Sequence, residues 1–277
     1  MRVCIACITL LLPLAASASD PVQDALHSLA SDSSPRVRVQ SALALGPLAN
    51  ETEVRDALVK ALADQEAVVR AAAAKALAVV GPPEAFVAVC TAAQDKDPMV
   101  ARWAIRTARL ILARASSVSI GVRGLVASVG GEMGTKLLQE VVMEALLRSR
   151  RYNLDVTAFD FQEQPGHPEA RGTTLHVDLE ADTVCAQSDE SSATVRVVFR
   201  VVSPTGFVVH EVQAEATGRA QPKAAPDPDE DEYTIKEAPP DPRILALRAS
   251  AEAASAMLLK ALAGEVPEPG PEQRRHR

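Results

Sequence analysis

The apolar positions of this chain follow two rhythms. Between residues 32 and 102 one phrase is written three times: Asp32-Ser-Ser-Pro-Arg-Val37-Arg38, Asp64-Gln-Glu-Ala-Val-Val69-Arg70 and Asp95-Lys-Asp-Pro-Met-Val100-Ala101. The valines stand 32 and 31 residues apart, and Leu26, Leu58 and Val89 each stand eleven residues before one of them. Inward positions recurring at such a period mark a solenoid, in which each unit buries its apolar face only against the next. Each unit reads as two helices. Pro21–Ala30, Thr52–Ala63 and Pro83–Gln94 are the first helices, and Pro35–Leu45, Ala67–Val80 and Pro98–Ala113 the second, with Gly46-Pro47 and Gly81-Pro82-Pro83 as stops.

From Val118 the rhythm changes. Val118–Ala127 is a short apolar, β-branched run, Gly130-Gly131-Glu-Met-Gly134 turns the chain, and Thr135–Arg151 is an amphipathic helix with Leu138, Val141, Val142, Ala145 and Leu146 on one side. Asn153–Phe161 reads as a second strand, followed by a Pro/Gly/His loop over Gln164–Gly172. Thr174–Cys185 alternates strictly, Leu175, Val177, Leu179 and Ala181 facing one way and His176, Asp178, Glu180 and Asp182 the other. Thr194–Val202 and Phe207–Thr217 follow as strands, joined by the hairpin turn Ser203-Pro204-Thr205-Gly206. An Ala- and Leu-rich helix over Asp241–Ala263 closes the domain. The order β-α-β-β-β-β-α predicts an α+β domain, with helices on one face of a mainly antiparallel sheet. The fold class expected is therefore two-domain, an N-terminal α-solenoid over 20–115 followed by an α+β domain over 117–263.

Each of the first two phrases is followed by a run of small residues, Ser41-Ala42-Leu43-Ala44-Leu45-Gly46 and Ala73-Ala74-Lys75-Ala76-Leu77-Ala78. In this the region 21–115 resembles the short kind of HEAT-like repeat. The resemblance implies a ladder between neighbouring units, built by Asp32, Asp64, Asp95, Arg38 and Arg70. The third unit carries Ala101, with Arg102 one place late, and reads as an atypical terminal repeat where the ladder ends. The second domain is similar to the small periplasmic domains of the curli-secretion-channel and penicillin-binding-protein-activator lipoproteins. That likeness rests on the helix Leu137–Arg151 running into Tyr152-Asn153 and on the hairpin Val201-Val202-Ser-Pro-Thr205-Gly206-Phe-Val208-Val209, and it transfers no catalytic residue.

A chain of 277 residues suits two domains, and its hydrophobic share of 47% is ample for folded cores. Aromatics, at 3%, are too scarce for aromatic-anchored pockets or stacking platforms. The first eighteen residues read as a secretory signal peptide, with Arg2, an apolar run from Val3 to Leu14 and the small-residue site Ala16-Ser17-Ala18. Cleavage would leave a chain beginning Ser19-Asp20. The formal net charge of −7 would become −8 with the loss of Arg2, so nothing global attracts nucleic acid or anionic lipid. Export would also remove Cys4 and Cys7, leaving Cys90 and Cys185 as two unpaired buried thiols. The stretch Ala220–Pro240, which includes Pro226-Asp227-Pro228-Asp229-Glu230-Asp231-Glu232, and the tail Gly264–Arg277 are too polar and Pro-rich to be expected to fold.

No constellation predicts catalysis, a cofactor or a metal. Gly130–Lys136 misses the phosphate-loop spacing and has Thr-Lys where Lys-Thr or Lys-Ser is required, so it reads as a tight turn. The histidines His27, His167, His176, His210 and His276 lack metal-ligand spacing, and His210 reads as a partly buried, hydrogen-bonded imidazole. The row His176, Asp178, Glu180 faces Arg196 and Arg200, which predicts cross-strand ion pairs.

The expectation is an exported, non-catalytic adaptor of a Gram-negative-type envelope. It would dock another envelope protein through the exposed repeat positions Arg36, Arg55, Lys60, Lys75, Arg106 and Arg109, with no nucleic acid partner and no integral membrane segment in the mature chain. The rival readings are an oligomerising subunit of an envelope assembly or secretion apparatus, joined through a sheet edge, and an enzyme of the HEAT-like phycobilin lyase type.

Overall fold

The computed structural model describes residues 20–149, 151–155, 174–189, 191–220 and 241–265. The signal peptide, most of the strand and loop expected over 153–172, the acidic insertion beyond Ala220 and the tail beyond Glu265 lie outside the described residues.

Three helix pairs form the first domain: α1 (Pro21–Ser31) with α2 (Pro35–Leu45), α3 (Thr52–Ala61) with α4 (Ala67–Val80), and α5 (Phe86–Ala92) with α6 (Pro98–Arg114). Local chemistry sets these boundaries. The carboxylate of Asp20 accepts the Val22 N–H at 3.0 Å, and that of Asp97 accepts the Met99 N–H at 2.9 Å, each capping a helix that opens on proline. Helix α4 ends at Gly81, whose φ of 76° is open to glycine at little cost. Helix α5 begins three residues later than the sequence predicts, because Pro83–Ala85 winds as a 3-10 turn.

The second helices pack side by side, α2 on α4 and α4 on α6. Ala71, Ala72, Ala73, Ala74 and Ala76 are all buried, and their small side chains let α4 lie close between its neighbours. Val69 and Val100 are fully buried, as the period requires. Val37, their equivalent, is half-buried, since no described unit precedes the first.

The second domain runs β1 (Val118–Gly124), α7 (Gly131–Ser149), β2 (Tyr152–Asp155), β3 (Leu175–Ser188), β4 (Ser192–Val202), β5 (Val208–Arg219) and α8 (Pro242–Leu262). The sheet order is β2-β1-β3-β4-β5. It is mixed: β1 is parallel to β2 and β3, while β3, β4 and β5 pair antiparallel over longer ladders. Leu175, Val177 and Leu179 are buried and His176, Asp178 and Glu180 exposed, as the alternation predicts. Helix α7 starts at Gly131 rather than Thr135, so the glycine turn becomes the first turn of the helix. Helix α8 packs on α7 and lies across β4 and β5.

One contiguous apolar core runs from Leu26 in the first repeat to Leu262 at the end of α8. The join between the domains is α6, which touches both β5 and α8.

Candidate interaction surface on the repeats

The ladder between repeat units is present. Arg38 donates from Nε and Nη2 to the two carboxylate oxygens of Asp64, both at 2.9 Å, and from Nη1 to the Asp32 carbonyl at 2.8 Å. Arg70 repeats the arrangement one unit on, to Asp95 at 2.7 and 3.0 Å and to the Asp64 carbonyl at 2.9 Å. Such bidentate pairing is geometrically specific and fixes the rotation of one unit on the next. Burial alone would raise the Asp64 carboxyl, but the Arg38 guanidinium and the Glu66 N–H outweigh it and hold the group below the usual carboxylate range. Asp95 is held low chiefly by Arg70. The third unit has Ala101 at this position and makes no further rung.

With the acids of the repeat phrase engaged in the ladder, the outward side of the second helices is left to other residues. The repeat register aligns Arg36 with Val68 and Met99, Gln40 with Ala72 and Trp103, and Leu43 with Lys75 and Arg106. These rows cross three helices packed against one another. Leu43, Val68, Val79 and Met99 stand 40%, 48%, 54% and 42% exposed, high values for large apolar side chains. On the repeats, Val87 is the one large exposed apolar residue that lies on a first helix instead. Trp103 is half-buried, with Lys75 Nζ 5.3 Å and Arg106 Cζ 5.5 Å from its ring centroid.

The six residues singled out from the sequence do not gather in one place. Arg36, Lys75 and Arg106 lie on this face. Lys60 is exposed on the first-helix side, on α3. Arg55, also on α3, is largely covered and lies 3.5 Å from Asp56 and 3.7 Å from Glu84, which ties the second unit to the third. Arg109 faces the other domain, its Nε–H donating to the Val209 carbonyl at 2.9 Å. It is a joint between domains rather than a docking residue. Val68, Val79, Met99 and Trp103 were missed, because an exposed apolar residue looks like a core residue until the three units are aligned and its row is seen to face outward.

The junction around Arg109 holds two perturbed groups. Burial lowers the His210 imidazole to about 4, with the charge of Arg109 acting in the same direction, and Nε2 has no hydrogen-bond partner among the described residues. The hydrogen bond expected of this imidazole is thus not made at Nε2, which is buried on β5 beside the Arg109 cation of α6. Burial pushes the Cys90 thiol up to about 11 against an opposing hydrogen bond with Ser203. Cys185 is exposed rather than buried, since it stands where the β3–β4 register shifts.

Elsewhere the sequence expectations meet ordinary structural roles. Arg196 and Arg200 do form cross-strand ion pairs, but with Glu215 and Glu211 of β5 rather than with the acids of β3. Thr135 of the glycine turn accepts the Ala127 N–H at 3.0 Å, and Lys136 pairs with Glu132. An open cleft of about 500 Å³ between α7 and α8 is lined by Glu140, Glu144, Arg148, Arg248 and Glu252 among others, and by no histidine or cysteine. Among the described residues no cluster of His, Cys, Asp and Glu could hold a metal, and no helix is long and apolar enough to cross a membrane.

Comparison with known proteins bears on the first domain. Residues 6–78 and 55–120 match the family model of HEAT repeats. The N-terminal region therefore carries HEAT repeats. No curated protein matches the chain. Among solved structures, a putative neuraminyllactose-binding hemagglutinin homolog from Helicobacter pylori is similar at 11% identity, covering 56% of this chain and 85% of that one, with a TM-score of 0.26.

Proposed function

We propose that this chain is an exported, non-catalytic adaptor of the cell envelope whose HEAT repeats dock another protein on the outward side of α2, α4 and α6. The observation that carries the reading is the run of exposed apolar side chains, Leu43, Val68, Val79 and Met99, set in rows across three packed helices. A surface held rigid by the Arg–Asp ladder binds without first ordering itself, which lowers the cost of association. Export rests on the apolar run Val3–Leu14 and the Ala16-Ser17-Ala18 site, and the sequence likeness of 117–263 to periplasmic lipoprotein domains agrees with it.

The test is site-specific photo-crosslinking in the envelope of the producing cell. A crosslinker at Leu43 or Val79 should give one discrete protein adduct, and one at Lys60 on the first-helix side should give none. Equal adducts from both sides would reject the surface. Mass spectrometry of the mature chain should find Ser19 at the N-terminus, and an intact Met1 in the cytoplasm would reject export.

A second reading has one observation in its favour. Strand β5 pairs only with β4 among the described residues, so a sheet edge is available for self-association. A monomer by light scattering at high concentration would set that reading aside.

A further inference from the structure

Helices α2, α4 and α6 contain no aspartate or glutamate, in a protein whose formal net charge is −7. They carry eight basic residues, and the fold employs four of them internally. Arg38 and Arg70 hold the ladder, Arg109 holds Val209, and Arg114 donates to the Ala78 and Val79 carbonyls that close α4. The other four, Arg36, Lys75, Arg102 and Arg106, are exposed and make no ion pair among the described residues. Two of these, Lys75 and Arg106, come from adjacent units and converge on the one ring of Trp103. Like charges so placed repel each other, and the ring offsets this only partly, by about 0.5–1 kcal/mol per cation at exposed sites. A carboxylate from outside would complete the arrangement.

We infer that the occupant of this face is an acidic protein segment with apolar side chains set among its carboxylates. The inference deepens the adaptor reading and rests on it. Cations alternate here with Val68, Met99, Leu43 and Val79, so the surface asks for a ligand that alternates charge with apolar bulk. A polypeptide with acidic and apolar residues at helical or strand spacing does so. A phosphate backbone presents charge without apolar bulk, and a nucleic acid site combines a continuous basic track with stacking aromatics, of which this face has one. An anionic bilayer would meet a chain whose remaining charge repels it.

The experiment titrates the full chain with three labelled 14-residue peptides that share the same leucines at helical spacing and carry Glu, Gln or Lys between them. The Glu peptide should bind at least tenfold more tightly than the Gln peptide, more weakly as salt is raised, and the Lys peptide not at all. The double substitution Lys75→Glu with Arg106→Glu should reverse the order, so that the Lys peptide now binds better than the Glu peptide. A misfolded variant could not gain binding in this way. Trp103→Ala should weaken the Glu peptide without changing the order. Equal affinity for the Glu and Gln peptides, or an order unchanged by the double substitution, would overturn the inference and leave the adaptor reading standing. Tighter binding of phosphatidylglycerol vesicles or of a single-stranded oligonucleotide than of any peptide would overturn both. Binding of none of these probes would overturn the inference alone, with the crosslinking at Leu43 left to decide the adaptor reading.

Discussion

On the outer face of the sheet Arg196 and Arg200 each hold a glutamate of β5, at 2.8 and 2.9 Å, while Arg36, Lys75, Arg102 and Arg106 on the repeats hold no carboxylate among the described residues. Both sets stand on regular elements and reach solvent. What differs is the neighbour that the fold provides. Strand β4 lies beside a strand whose outward positions include Glu211 and Glu215, so its charges cancel within the chain. The second helices lie beside one another and bring only cations, because the repeat acids Asp64 and Asp95 are already held by Arg38 and Arg70. An arginine partnered in its own fold serves that fold. One left without a partner on a surface that also exposes valine, leucine and methionine is available to another molecule.

The outward cations depend on a helix register that places Val69 inside and Lys75 outside. Val69 is fully buried between neighbouring helices. Val69→Asp would bury a carboxylate with no partner, at a cost of several kcal/mol. Lys60→Asp, on the exposed side of α3, should stay within about 0.5 kcal/mol. Denaturant melts of the two variants that shifted equally would show that the repeats are packed differently and that Lys75 need not face outward.

The next effect is at the junction, where β5 brings a buried imidazole nitrogen without a hydrogen-bond partner among the described residues up against the repeats. His210 is lowered to about 4 by burial and by Arg109. Below its ordinary value of 6.5 the unfolded chain binds a proton there that the folded chain refuses. Stability should therefore fall as pH drops from about 6.5 to about 4, by up to about 3 kcal/mol, and this loss should level off below 4. Asp64 and Asp95 act in the adjacent window. Their folded values lie below 3.8, so their contribution is intact above that pH and is lost as pH falls further. Melting temperatures between pH 7 and 3 should thus decline in two legs. His210→Leu should flatten the upper leg and leave the lower, and a single leg unaffected by the substitution would mean that the imidazole is not desolvated at the junction.

How much of this could be read from sequence differed between the two domains. In the repeats a period of 31–32 residues located all six helices to within a few residues and placed Val69 and Val100 in the core, because each unit meets the same neighbours and repetition averages out local accidents. The same repetition hid the interaction face. Val68 sits beside Val69 in sequence, and only packing shows that one faces a helix and the other solvent. In the second domain the element order was legible from alternation, but partnership was not. Arg200 stands between Glu180 of β3 and Glu211 of β5 and turns to β5, while Arg196 has Val184 on one side and Glu215 on the other, and this register cannot be read from the alternation of a single strand. His210 was legible as half-buried and not as unpartnered, since its surroundings come from α6, about 100 residues earlier in the chain.

If Arg200 serves its own fold and Arg36 does not, neutralising each to glutamine should separate them. Arg200→Gln breaks the Arg200–Glu211 pair on a partly covered sheet face, where a pair of this kind contributes about 0.2–1 kcal/mol. Arg36→Gln removes a charge that touches no acid, and the remaining cations of its face repel one another slightly less, so stability should stay level or rise by a few tenths of a kcal/mol. Salt provides the control. Moving from about 0.05 M to 0.5 M shortens the screening length from above 10 Å to below 5 Å. It should narrow the difference between wild type and Arg200→Gln, because the interaction being screened is attractive. For Arg36→Gln any small gain should likewise fade, because the repulsion it relieved is screened in both proteins. Measured by urea midpoint, a loss for Arg36→Gln as large as that for Arg200→Gln would show that Arg36 has a partner within its own chain. The distinction drawn between the two surfaces would then fail at that residue.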